Sequence, residues 1–93
     1  MSDTQQAPTD RSTPDQVIAE HRDRIDDLDR RIIKLIGERV ALSQEVQRTR
    51  IAAGGRRVQL TREMEVIARY REALDTPGTE VAMALLELCR GRV

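Results

Sequence analysis

The chain has 93 residues, 39% apolar and 34% charged, which makes one domain at most and matches neither a membrane nor a disordered composition. It has no Phe, no Trp and a single Tyr70, which excludes aromatic base-stacking platforms and aromatic cages. Sixteen cations balance sixteen anions, so no net field draws the protein to nucleic acid or anionic lipid. Lys34 is the one Lys and every other cation is Arg. Coding bias produces such an inventory, and so does a need to bind carboxylates bidentately; composition leaves both open. One cysteine, Cys89, permits no intrachain disulfide, and the opening MSDTQQAPTD has neither the basic start nor the apolar run of an export signal, so the cytoplasm is the expected compartment. Lone His21 and distant Cys89 make no metal-ligand spacing, and there is no Gly-rich phosphate loop, GxSxG elbow or CxxC. Neither a metal nor a cofactor is expected.

Residues 1–12 are polar and aperiodic and read as a disordered tail ahead of a domain over 13–93. At Thr13-Pro14-Asp15-Gln16 an N-cap Thr, a Pro at the first helical position, an early acid and a capping-box Gln start a helix. The next break is Gly54-Gly55, so the first helix spans about 14–52, on the order of 55 to 60 Å at 1.5 Å per residue. A second helix fits 59–74. Asp75 to Gly78 reads as a turn, after which Thr79 caps a short third helix to about Arg90. No segment alternates like a strand. The fold class is all-α, with one long and two short helices.

The long helix carries an apolar stripe, Ile18, His21, Ile25, Leu28, Ile32 and Leu35, continuing through Arg39, Leu42 and Val46. Two short helices cannot cover that length, and a second copy of the chain is the simplest cover. Away from the stripe, acid-before-Arg pairs four apart (Glu20/Arg24, Asp26/Arg30, Asp27/Arg31, Glu65/Arg69) mark a solvated face.

Several residues are out of place. Arg39 stands in the stripe where an aliphatic side chain belongs, and a guanidinium there is costly unless an anion meets it. Arg50 lies eleven residues on, about 20° round and about 16 Å along the axis, so the two side chains converge on the space between them. In the second helix Glu63 shares a stripe with Ile67, Tyr70 and Leu74, beside Arg62. Arg22 is about 25 Å of axis from Arg39 and reaches such a site only from a second, antiparallel chain. Gly37 costs the long helix about 1 kcal/mol relative to Ala, as a close helix approach, a ligand space or an ordinary packing glycine would. Each anomaly alone has a structural explanation: an ion pair, a snorkelling Arg, an acid at a helix start. Together they suit a small, multiply anionic ligand bearing a hydroxyl, and they offer no nucleophile.

The stretch HRDRIDDLDRRIIKLIGERVALSQEVQRTR, followed by TREMEVIARY, closely resembles the all-helical chorismate mutases over about residues 15–92. The shared pattern is R-x-x-I-D-x-L-D from Arg22, E-R-x-x-L-S with its Arg seventeen residues later, a cation eleven after that, and Arg-Glu twelve further on. The resemblance implies an intertwined homodimer of three-helix protomers that converts chorismate to prephenate on the route to Phe and Tyr. Arg22 matches the arginine delivered by the partner protomer, and Arg39 the central arginine of the long helix, the two holding the substrate's carboxylates. Arg50 stands where many members have Lys facing a carboxylate and the ether oxygen. Glu63 is expected to accept the ring hydroxyl's hydrogen bond with Arg62 lining that end, and Gln59 to contribute through its backbone.

The C-terminus departs from better-known members: Arg90 replaces a Gln that donates to the ether oxygen, and Leu86 a small polar residue. Three residues follow Arg90, so the third helix is expected to fray at that end. The GG loop and terminal R-G-R are similar to a short subclass activated by binding 3-deoxy-D-arabino-heptulosonate 7-phosphate (DAHP) synthase. From the short C-terminus and that resemblance, Cys89 to Val93 are expected to be poorly placed in the free dimer and set by that partner. Isochorismate pyruvate-lyase and aminodeoxychorismate mutase relatives share the pattern, and a non-enzymatic helical dimer is the alternative from another class.

Overall fold

The computed structural model describes residues 13–56 and 59–91; the tail expected over 1–12, and Arg57, Val58, Arg92 and Val93, lie outside them. The order is α1 (Pro14–Ala52), α2 (Leu60–Leu74) and α3 (Thr76–Arg90), and there is no strand among the described residues. The chain divides into two compact units, Met1–Lys34 and Leu35–Val93, with α1 running through both.

In the first unit α1 begins with the reciprocal bonds the sequence calls for. Gln16 N–H donates to Thr13 Oγ1 and Thr13 N–H to Gln16 Oε1, both at 3.1 Å. The charged face pairs only partly as spaced. Asp27 meets Arg31 at 3.5 Å, but Arg30 also turns to Asp27, at 3.9 Å, rather than to Asp26. Such exposed pairs contribute little, so their partners are set by rotamer choice as much as by spacing. The apolar stripe is half-exposed, Ile25 at 52% for instance, and no residue of α1 is buried within the chain.

In the second unit the double glycine ends α1 in a Schellman motif. Gly54, at φ +86°, donates to Ile51 O at 2.9 Å, and Gly55 donates to Arg50 O at 2.7 Å, which satisfies two carbonyls of the last turn. Beyond the loop, α2 and α3 pack on each other. The turn between them is shorter than the sequence suggests. Thr76, Pro77 and Gly78 already belong to α3, and Thr79 is an internal residue, not its cap. Asp75 alone makes the turn at φ 63° and ψ −159°, outside the left-handed helical well and in a region otherwise taken essentially by glycine. Pro77 sits in the first helical turn, where its missing N–H costs nothing. Gly78 serves contact rather than bending: a Cβ there would lie 2.2 Å from Tyr70 O. Val66, Ala82, Leu85, Leu86 and Cys89 form the core. Where the sequence suggests a fraying end, α3 runs to Arg90 and is closed by Gly91 N–H donating to Leu88 O at 3.2 Å.

Candidate active site

The second unit carries a cleft of about 280 Å³ whose walls come from the end of α1, the start of α2 and the end of α3. From α1 it receives Arg39 and Arg50, the two arginines that helical spacing places along one side, with Leu42 and Val46 between them. From the start of α2 come Gln59, Arg62 and Glu63, and from α3 come Leu86, Cys89 and Arg90. Val66, Leu86 and Cys89 are buried, so the charged side chains stand over an apolar floor. Every site residue expected from the sequence lines this cleft except Arg22, an exposed residue of the first unit.

Charge within the cleft is strongly unbalanced. Four guanidinium groups face one carboxylate, and one of the four is already paired with it. Arg90 grips Glu63 through two bonds, Nη2 to Oε1 at 2.6 Å and Nε to Oε2 at 3.1 Å, a bidentate fork. The hydrogen bonds it donates to Glu63 raise the Arg90 guanidinium above its ordinary value; burial opposes this, and the nearby charges of Glu63 and Glu87 add to it. Glu63 is thereby fixed, yet each carboxylate oxygen keeps a lone pair for a hydroxyl donor. Arg62 also pairs with Glu65, at 3.6 Å, and the Glu65–Arg69 pair that spacing suggests does not form. Arg39 makes no ion pair among the described residues. Its Nη1 donates to Cys89 Sγ at 2.8 Å.

The loop after α1 shapes the position of Arg50. A Cβ on Gly55 would lie 2.5 Å from Arg50 Cγ, 3.1 Å from Arg50 O and 3.3 Å from Arg50 Cδ. Gly55 therefore leaves the space in which the Arg50 side chain lies. We predict that Gly55→Ala, which meets no left-handed backbone at that position, lowers turnover severalfold with the melting temperature nearly unchanged. A purely structural glycine would show the reverse.

The family model described as chorismate mutase type II matches residues 21–87. The chain belongs to the type II chorismate mutases. Among its relatives, the intracellular chorismate mutases of Mycolicibacterium smegmatis and Mycobacterium tuberculosis are 46% and 43% identical over 72 residues, 77% of this chain and 69% and 68% of theirs. A solved structure, the non-covalent complex of DAHP synthase and chorismate mutase from Corynebacterium glutamicum with bound transition state analog, matches with a TM-score of 0.80 at 35% identity, over 85% of this chain and 95% of that chain. For a chorismate mutase of this type, the matched span holds Arg22, Arg39, Arg50, Gln59, Arg62, Glu63 and Leu86, whereas Cys89 and Arg90 lie beyond it.

Among the residues of this mutase's cleft that sequence reasoning did not assign to the site are Gln47 and Cys89. Gln47 lies on the same side of α1, eight residues after Arg39, and its Nε2 donates to Cys89 O at 3.3 Å. It thereby satisfies one of the carbonyls left open at the end of α3. Spacing from Arg39 would have found Gln47. Cys89 gave a signal only in its type, a buried thiol near a chain end otherwise made of arginine and glycine.

Proposed function

We propose that this chorismate mutase rearranges chorismate to prephenate, the step toward Phe and Tyr, in the cleft of the second unit. The observation that carries the reading is the convergence of Arg39, Arg50, Arg62 and the Arg90-held Glu63 over an apolar floor. Chorismate has two carboxylates, a ring hydroxyl and an ether bridge, and its concerted [3,3] shift needs no proton transfer and no nucleophile. Catalysis has two tasks: to hold the enolpyruvyl group over the ring, and to stabilise negative charge as the ether C–O bond breaks. Arg39 holds a carboxylate through its planar fork. Arg50 faces a carboxylate and the ether oxygen. Glu63 accepts from the ring hydroxyl with Arg62 lining that end, Gln59 contributes its backbone, and Leu86 supports the ring.

The site takes its remaining carboxylate ligand, Arg22, from a second protomer. Supporting this homodimer are the half-exposed stripe of α1, with Leu35 at 61%, and the position of Arg22 outside the cleft lining. DAHP synthase is the proposed activating partner, acting through Cys89 to Val93, and the neighbouring complex of a chorismate mutase with that synthase supports it. The relatives are called intracellular and no described helix is long and apolar enough to cross a membrane; the cytoplasm is the proposed compartment.

The test follows the loss of chorismate absorbance with purified protein, alone and with the synthase added, alongside isochorismate and aminodeoxychorismate. Prephenate formation that rises on addition is the expected result. Pyruvate release from isochorismate, without prephenate formation from chorismate, would replace the mutase reading by a lyase. An inert protein whose melting temperature no dicarboxylate raises would be a helical module. Elution as a monomer in size-exclusion chromatography would remove the partner's Arg22 from the site.

A further inference from the structure

We propose that Cys89 is the positioning residue of Arg39: its buried thiol seats the guanidinium at the floor of the cleft before an anionic ligand arrives. The inference rests on the reading of Arg39 as a carboxylate ligand. A free Arg side chain samples many rotamers, and a site that leaves it loose loses that entropy at binding. Arg39 has no carboxylate to hold it among the described residues, and its guanidinium hydrogen bond goes to Cys89 Sγ, 2.8 Å from Nη1.

Sulfur is suited to this task because it is a weak acceptor. A carboxylate in its place would neutralise Arg39 and compete with the ligand, as Glu63 does with Arg90. The thiol takes one N–H of Nη1, and the edge formed by Nε and Nη2 remains open for a bidentate carboxylate. The seat is itself fixed. Cys89 is 4% exposed, and Gln47 Nε2 on α1 donates to its carbonyl at 3.3 Å. The same turn of α3 carries Arg90, which grips Glu63, so one turn sets both Arg39 and the hydroxyl acceptor.

A double-mutant cycle in the homodimer tests the proposal, with kcat and KM for chorismate measured for Cys89→Ala, Cys89→Ser, Arg39→Ala and Cys89→Ala with Arg39→Ala. Losing a hydrogen bond of this kind should raise KM about three- to tenfold for Cys89→Ala, with a smaller change in kcat. Cys89→Ser, which keeps an acceptor, should recover part of it. In the Arg39→Ala background Cys89→Ala should cost nothing further, because no guanidinium is left to seat. An equal loss in both backgrounds, or no loss in the first, overturns the proposal. If Arg39→Ala itself leaves turnover unchanged, the assignment of Arg39 fails first, and the seat with it. Where the Arg39→Ala background turns over too slowly to compare, side-chain 15N relaxation of Arg39 Nε–H decides. Order that falls in Cys89→Ala supports the seat, and unchanged order overturns it.

Discussion

Replacing Arg50 or Arg39 by Ala is expected to lower kcat/KM for chorismate by about a hundredfold to a thousandfold, the range found when one preorganised donor to a developing oxyanion is removed. Neither change should unfold the protein. Both side chains are half-buried at the cleft, neither forms an ion pair among the described residues, and truncation leaves no buried charge unpaired. Arg39→Ala releases only the thiol of Cys89, a weak acceptor. Arg50→Ala leaves untouched the backbone bonds from Gly54 and Gly55 that end α1, since these use carbonyls. Stability should therefore fall by no more than about 1 kcal/mol, within the range of changes that break no buried network. The two losses should differ in kind. If Arg39 clamps a carboxylate, as proposed, its loss should act mainly on KM; if Arg50 faces the breaking bond, its loss should act mainly on kcat. Full-length dimer by size-exclusion chromatography with a near-native melting temperature is the required control. A rate loss that follows the melting temperature would assign both arginines to structure.

What the sequence made legible divides along physical lines. Local rules placed the start of α1, because a capping box is written in four adjacent residues and closes with its own hydrogen bonds. They also placed its end at Gly54-Gly55, where only glycine takes the left-handed turn at low cost. They failed at the start of α3. Thr76-Pro77-Gly78 has turn composition, yet Pro there fills a first-turn position and Gly78 is required by the carbonyl of Tyr70, a contact no local rule contains. The cleft was legible through misfit: Arg39 in an apolar stripe, and Arg50 and Glu63 at related positions, all line it. Pairings across long separations were not legible. The bonds from Arg39 to Cys89 and from Gln47 to Cys89 join residues 50 and 42 positions apart, and nothing in one sequence signals such a distance. Arg90 is a middle case. Its presence near the site was expected, but its two-pronged hold on Glu63, 27 positions away, was not.

That hold gives the second large effect. Glu63→Ala removes the proposed acceptor for the ring hydroxyl together with its two bonds from Arg90, and we expect a loss of about tenfold to a hundredfold in kcat/KM, the value of a hydrogen bond to a charged group. Arg90→Ala should cost about tenfold by a different route: Glu63 remains but loses the two bonds that fix its oxygens. Arg90 stays charged at every assay pH, as any guanidinium does, and its hydrogen bonds to Glu63 first, with the charges of Glu63 and Glu87, raise it further against the cost of burial. The sign is that of a raised cation: its contribution is complete below the unfolded value and is lost only as pH climbs through the higher folded one. Its worth is limited by solvent, since the Arg90 side chain is 41% exposed against 15% for Glu63. The decisive quantity is therefore the coupling. If Arg90 acts through Glu63, the double variant should be within about twofold of Glu63→Ala alone, because a positioning residue has nothing left to position. If Arg90 instead donates to the ether oxygen on its own account, the two losses should multiply.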